Sequence, residues 1–211
     1  QKITMSKKLK NIFIACFSFG VLLFSCGFRE ERVEEPFQTI RPIPNEESML
    51  DIDLTPGYRA GQLALQKGAL WNYKIAVPEI AEGEKVPLII ALHWAGDNLA
   101  YREFMDCLVY PALGERKAII FGPTDDGSSW WEPYNADRVL SFVRRAKEVL
   151  PIDPDKVAVL GYSNGGIGSW FFAANHPETF NAAIPIAGSY FKVNNIHMPT
   201  YIIHGTNDEL F

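Results

Sequence analysis

Val157-Ala158-Val159-Leu160-Gly161-Tyr162-Ser163-Asn164-Gly165-Gly166 decides the fold. Four consecutive apolar residues read as a strand buried on both faces, and the small residues after them allow a sharp reversal into a helix running to about Asn175. In so tight a turn Ser163 is forced into a strained backbone conformation, and only small neighbours such as Gly161, Gly165 and Gly166 leave it room. Its hydroxyl then stands above the sheet edge. The following helix points its positive end there, which favours negative charge developing on a substrate oxygen. The plainer alternative is a glycine-rich turn whose serine caps the helix.

Outward from this turn, strands alternate with helices. Residues 71–77 alternate as a half-buried strand that Pro78 ends, and residues 86–92 form a continuous apolar run of strand length. Helical spacing follows over about 99–113, then a strand at 118–121, an aromatic loop around Trp130 and Trp131, and a helix over about 136–150. In that helix Val139, Leu140, Val143, Ala146, Val149 and Leu150 recur at spacings of three and four and line one face, until Pro151 and Pro154 stop it. Residues 182–186 and 200–204 read as two further strands. Such alternation predicts an α/β fold, a mostly parallel sheet with helices on both faces.

Composition excludes several classes of function. With 211 residues, 47% of them hydrophobic and 21% charged, the chain can bury a sizeable core, and one domain is expected. Lys and Arg number 20 against 25 Asp and Glu, a net charge of −5, so the basic excess that nucleic-acid binding requires is missing. Cys16, Cys26 and Cys107 cannot build a multi-bridge framework, and their spacing fits no zinc site. Neither a metal nor a cofactor is expected. Cys107, at helical spacing between Phe104 and Leu108, reads as a buried, inert core thiol.

Ahead of the domain lies an export signal. Met5 followed by Ser6-Lys7-Lys8-Leu9-Lys10 reads as the start, and no charge occurs from Asn11 to Phe24, so residues 1–25 have the shape of a signal peptide. The alternative is an uncleaved signal anchor. Leu23-Phe24-Ser25-Cys26-Gly27 resembles the lipobox of bacterial lipoproteins, which implies lipid attachment at Cys26 and a place in the cell envelope, on its periplasmic or outer-surface face. Acidic residues and prolines through 26–56 read as an extended tether, leaving residues 57–211 as the folded domain.

Three motifs in order carry a family resemblance. Ala91-Leu92-His93-Trp94-Ala95-Gly96-Asp97 looks like an oxyanion loop after a buried strand; Gly161-Tyr162-Ser163-Asn164-Gly165-Gly166 is the nucleophile turn; Ile202-Ile203-His204-Gly205-Thr206-Asn207-Asp208 is similar to a strand end that carries a catalytic acid. From about Tyr73 onward the chain thus resembles the α/β-hydrolase superfamily, in particular carboxylesterase, acyl-protein thioesterase and polyhydroxyalkanoate depolymerase-like esterases. The resemblance implies that Ser163 attacks an acyl carbonyl, that the backbone N–H groups of Asn164 and Ala95 hold the oxyanion, and that Asp208 orients a catalytic imidazole. Trp94 stands where the family has glycine.

The order in this family is serine, acid, histidine, and no histidine follows Asp208. His93 and His204 belong to strand-end motifs that brace loops, His176 precedes Pro177 at a helix end, and His197 lies in the linker before the last strand. The expectation is therefore a C-terminally truncated fold whose base lies beyond Phe211. Trp94, Trp130 and Trp131 sit on loops where they can wall a substrate site, or equally pack under a long loop. The function expected is a serine esterase working through an acyl-enzyme on a small-molecule or polymer-linked ester. Its competitors are peptide or thioester cleavage on the same machinery, and a non-catalytic surface lipoprotein that holds polysaccharide.

Overall fold

The structure is a computed structural model, and it describes residues 51–64, 70–190 and 196–210. The expected signal segment, the start at Met5, lipid attachment at Cys26 and most of the tether lie outside the described residues. Six strands form one sheet in the order β1-β2-β4-β3-β5-β6. They are β1 (Gly57–Ala64), β2 (Leu70–Val77), β3 (Val86–Leu92), β4 (Ile119–Pro123), β5 (Ile152–Tyr162) and β6 (Ala182–Ile186). β1 and β2 pair antiparallel, as do β2 and β4; from β4 through β3 and β5 to β6 every pair is parallel. The sheet is mostly parallel, as the alternation of elements predicts.

Helices cover both faces. Along β3, Leu88, Ile90 and Leu92 face a core shared with helix α3 (Pro133–Val149) and helix α4 (Asn164–Asn175), through Val139, Phe142, Val143 and Phe172. Ala91, Ile120 and Leu160 face the other side, against Phe104 and Met105. Those two residues belong to a helical segment with three parts: α1 (Ala100–Phe104), a π-helical stretch (Met105–Val109) and α2 (Tyr110–Leu113). The widened turn has a cause in the sequence. Pro111 has no N–H and its ring crowds the carbonyl four residues back, and the Tyr110 N–H bonds to Met105 O, one residue further than in an α-helix.

Several expectations change. β1 was not legible as a strand, because among its described side chains only Leu63 is a deeply buried apolar one. β5 begins at Ile152 rather than Val157. Val149 is exposed on α3, and Cys107 is exposed rather than a core thiol. The domain also starts before residue 57: Ile52 is buried in the main core, Leu54 packs against it, and Arg59 donates to the Asp53 carbonyl oxygen at 2.8 Å. Residues 200–203 run parallel to β6 through two bridges, Ala183 with Thr200 and Ile186 with Ile203.

Candidate active site

Ser163 sits between the last residue of β5 and the first of α4 with φ 55° and ψ −116°. This backbone region costs a non-glycine residue about 1–3 kcal/mol, so the surroundings must impose it. They do so from both sides: the Ser163 N–H donates to Ile186 O at 3.0 Å, and its carbonyl accepts from the Ile167 N–H at 2.9 Å. Two glycines make the turn possible. A Cβ at Gly165 would lie 1.9 Å from Leu92 O, and one at Gly161 would lie 2.1 Å from Gly165 O. The start of α4 is thereby pressed onto the end of β3. The hydroxyl makes no capping bond to α4. The helix-cap alternative is removed, and Oγ remains for chemistry.

Beside it, the loop after β3 is held by a buried imidazole. His93 Nδ1 donates to Trp94 O at 2.6 Å, and Nε2 accepts the Asp125 N–H at 3.2 Å. Burial lowers the His93 pKa to about 4, so the ring is neutral. Asp125 Oδ2 lies 3.8 Å from Nε2, but the ring is neutral and Nε2 accepts a hydrogen bond from the backbone, so the contact is not a charge pair; burial raises the Asp125 pKa to about 6. Trp130 Nε1–H donates to His93 O at 2.8 Å. Two successive carbonyls are thus turned inward. Across a trans peptide C=O and N–H point in opposite directions, so anchoring Trp94 O on His93 turns the Ala95 N–H away from the buried ring. Ala95 is exposed. At α4, the Asn164 N–H is one of the first four of a helix, which have no intrahelical acceptor.

Asp208 follows the segment that extends the sheet. Ala187 N–H donates to Ile203 O at 2.8 Å just as Ser163 N–H donates to Ile186 O, so the serine turn, the end of β6 and the His204–Asp208 loop leave the sheet at one edge. The Asp208 side chain is only 9% exposed. Its Oδ1 accepts the Leu210 N–H at 3.0 Å, and Oδ2 lies 3.3 Å from His204 Nε2. His204 therefore faces Asp208, a contact that the reading of it as a loop brace did not include. His176 closes α4 near Phe171 and Glu178, and His197 is exposed. Among the described residues, no histidine bonds to Ser163.

The aromatic wall is smaller than the sequence implies. Trp130 is fully buried, edge-on to His93 at 5.1 Å, so it is a core residue that pins the loop after β3 rather than a substrate contact. Trp94 and Trp131 are half-buried. Sequence reasoning missed Tyr162, whose ring meets Trp94 edge-to-face at 6.1 Å. It missed Arg138 as well, buried on α3 over the Trp71 ring, where it donates to Thr124 O at 2.9 Å and steadies the loop after β4.

A parallel-centred sheet in this strand order, with a strained serine at the turn from strand to helix, is the α/β-hydrolase fold. Residues 124–195 match the family model of the Prolyl oligopeptidase family, a span that contains Ser163 and Asn164 but not Ala95 or Asp208. Poly(3-hydroxyalkanoate) depolymerase C of Paucimonas lemoignei is 29% identical over 121 residues, which is 50% of this chain and 28% of that protein. A thermostable esterase of known structure is 25% identical with a TM-score of 0.55, covering 72% of this chain and 48% of that one. The fluorophosphonate-binding serine hydrolase FphF of Staphylococcus aureus, solved with substrate bound, shares the fold at a TM-score of 0.53 and 19% identity, over 64% of this chain and 58% of that one. The chain thus spans about a quarter of the depolymerase and about half of each of these two structures.

Proposed function

We propose that this chain carries the nucleophile half of a serine hydrolase that cleaves carboxylic esters through an acyl-enzyme. The Ser163 Oγ attacks the ester carbonyl carbon while its proton passes to an imidazole base. The alkoxide oxygen of the tetrahedral intermediate is held by the Asn164 and Ala95 N–H groups, each such donor contributing about 2.7–4 kcal/mol in the transition state. Collapse breaks the C–O bond, and the alcohol leaves with the proton from the base. Water then repeats the sequence on the acyl-enzyme and releases the acid. Asp208 orients the imidazole. None of the four histidines described above takes the role of base in this reading.

The observation that carries the reading is the backbone of Ser163, φ 55° and ψ −116°, together with a hydroxyl that does not cap α4. Strain persisting at a residue with no structural task for its side chain points to chemistry. The test is labelling of the full-length protein with a fluorophosphonate probe. Labelling that is lost in Ser163→Ala supports the assignment; an unlabelled protein, or labelling that survives the substitution, refutes it.

A second reading, hydrolysis of peptide amides, is favoured by the match to the Prolyl oligopeptidase family over 124–195. A panel of aryl esters, acyl thioesters and peptide amides separates the two. The lipobox-like stretch around Cys26 supports a lipid-anchored protein of the cell envelope; metabolic labelling with a tagged fatty acid, lost in Cys26→Ser, tests that placement.

A further inference from the structure

Where the resembled motif has glycine next to the oxyanion donor, this chain has Trp94. Its indole is fixed by two edge-to-face contacts: with Phe104 of α1 at 5.8 Å and 84°, and with Tyr162 at 6.1 Å and 88°. Phe104 is fully buried and anchors the arrangement, whereas Trp94 and Tyr162 are each only half-buried and cap the α1 side of the sheet. Their place in the chain fixes their place at the site. Tyr162 immediately precedes Ser163, and Trp94 immediately precedes Ala95. In the parallel register of β3 and β5, Leu92 stands opposite Gly161, so the two strands release these rings side by side.

We infer that Trp94 and Tyr162 form an aromatic shelf beside Ser163 that takes a flat aryl group of the ester. The inference rests on the serine-hydrolase reading above and deepens it by naming a substrate class. Two rings already held perpendicular to each other offer a third ring both an offset-stacked and an edge contact, while an aliphatic group of the same size gains area alone. Because Phe104 holds the indole in place, little rotamer freedom is lost when a substrate arrives. The Trp94 Nε1–H makes no hydrogen bond among the described residues, and a Cβ at Gly96 would lie 3.3 Å from that nitrogen. A donor therefore remains beside the glycine for a hydroxyl or ether oxygen carried on the aryl ring.

The experiment compares kcat/KM of the full-length protein for matched planar and non-planar esters: methyl cinnamate against methyl 3-cyclohexylacrylate, and benzyl acetate against cyclohexylmethyl acetate. In at least one pair the aryl member should be preferred by about tenfold, mainly through KM, and Trp94→Leu should abolish the preference while Trp94→Phe keeps most of it. Tyr162→Leu provides a second probe should the Trp94 variants fail to fold. A fluorophosphonate-labelled Trp94→Leu or Tyr162→Leu protein with unchanged ratios overturns the shelf and leaves the serine assignment standing. Failure of the wild type to label overturns the serine assignment first, and the shelf with it.

Discussion

At Ser163 a non-glycine residue is held in backbone space that glycine enters freely, so stability and reactivity pull in opposite directions. Ser163→Gly should remove the strain and raise the unfolding free energy by about 1 kcal/mol, net of the extra entropy of a glycine in the unfolded chain, while ending fluorophosphonate labelling. Urea titration of the two proteins checks the first half and gel fluorescence the second. A different balance holds at His93 and Asp125. His93 stays neutral with a pKa of about 4, so as pH falls from about 6.5 the unfolded chain gains a proton that the native protein refuses, and stability is lost. Asp125, raised to about 6 by burial, takes up a proton in the native protein before the unfolded chain does, so stability is gained as pH falls from about 6 toward 4. The two terms nearly cancel. Asp125→Asn removes only the second, because an amide oxygen can still accept the Gly127 N–H, and the variant should lose roughly 2–3 kcal/mol more than wild type between pH 7 and pH 4. The strained serine was legible in the sequence, since apolar strand, small residues and helix follow one another in ten positions. The state of His93 was not, because it depends on a backbone N–H supplied from beyond β4.

Among the elements, the join between β3 and α4 carries the site. Gly165→Ala would drive a methyl group into the Leu92 carbonyl, a rigid backbone atom at 1.9 Å, and should cost about 3 kcal/mol or more in urea unfolding. Trp130→Phe preserves an aromatic ring in the core but leaves the His93 carbonyl buried without its donor. A loss of about 1–3 kcal/mol is expected, with kcat falling more than KM rises, because the loop that presents the Ala95 N–H loses one of its anchors. Strands buried on both faces were readable as unbroken apolar runs, and α3 was readable from its spacing. What periodicity cannot show is how neighbours divide a task. Trp130 and Trp131 are adjacent in the sequence, yet one is sealed in the core with its indole N–H on the His93 carbonyl just after β3, and the other stays half-exposed. Pro111 widens a helix whose spacing alone reads as regular.

For the whole molecule, the strand order brings the ends of β3, β5 and β6 and the segment beyond them to a single edge, so residues far apart in sequence share one site. The opposite boundary of the domain is where composition misleads. Residues 51–56 are acidic and end in proline, which reads as tether, yet the sheet edge beside them leaves an apolar surface that one or two side chains can close. Ile52 enters the main core at 9% exposure, and the Arg59 side chain, reaching back from β1, ties the same segment down through Asp53. If these residues were only a spacer, Ile52→Ala would shift stability by less than about 0.5 kcal/mol, as surface changes do. As part of the core, the substitution should cost about 2 kcal/mol, somewhat below a central isoleucine because the site lies at the margin and can partly collapse. Asp51→Ser, one residue earlier and exposed, serves as the control and should be neutral. Parallel urea curves displaced for Ile52→Ala alone would place the start of the cooperative unit at or before Ile52, with β1 and β2 joined to the rest of the sheet in a single transition.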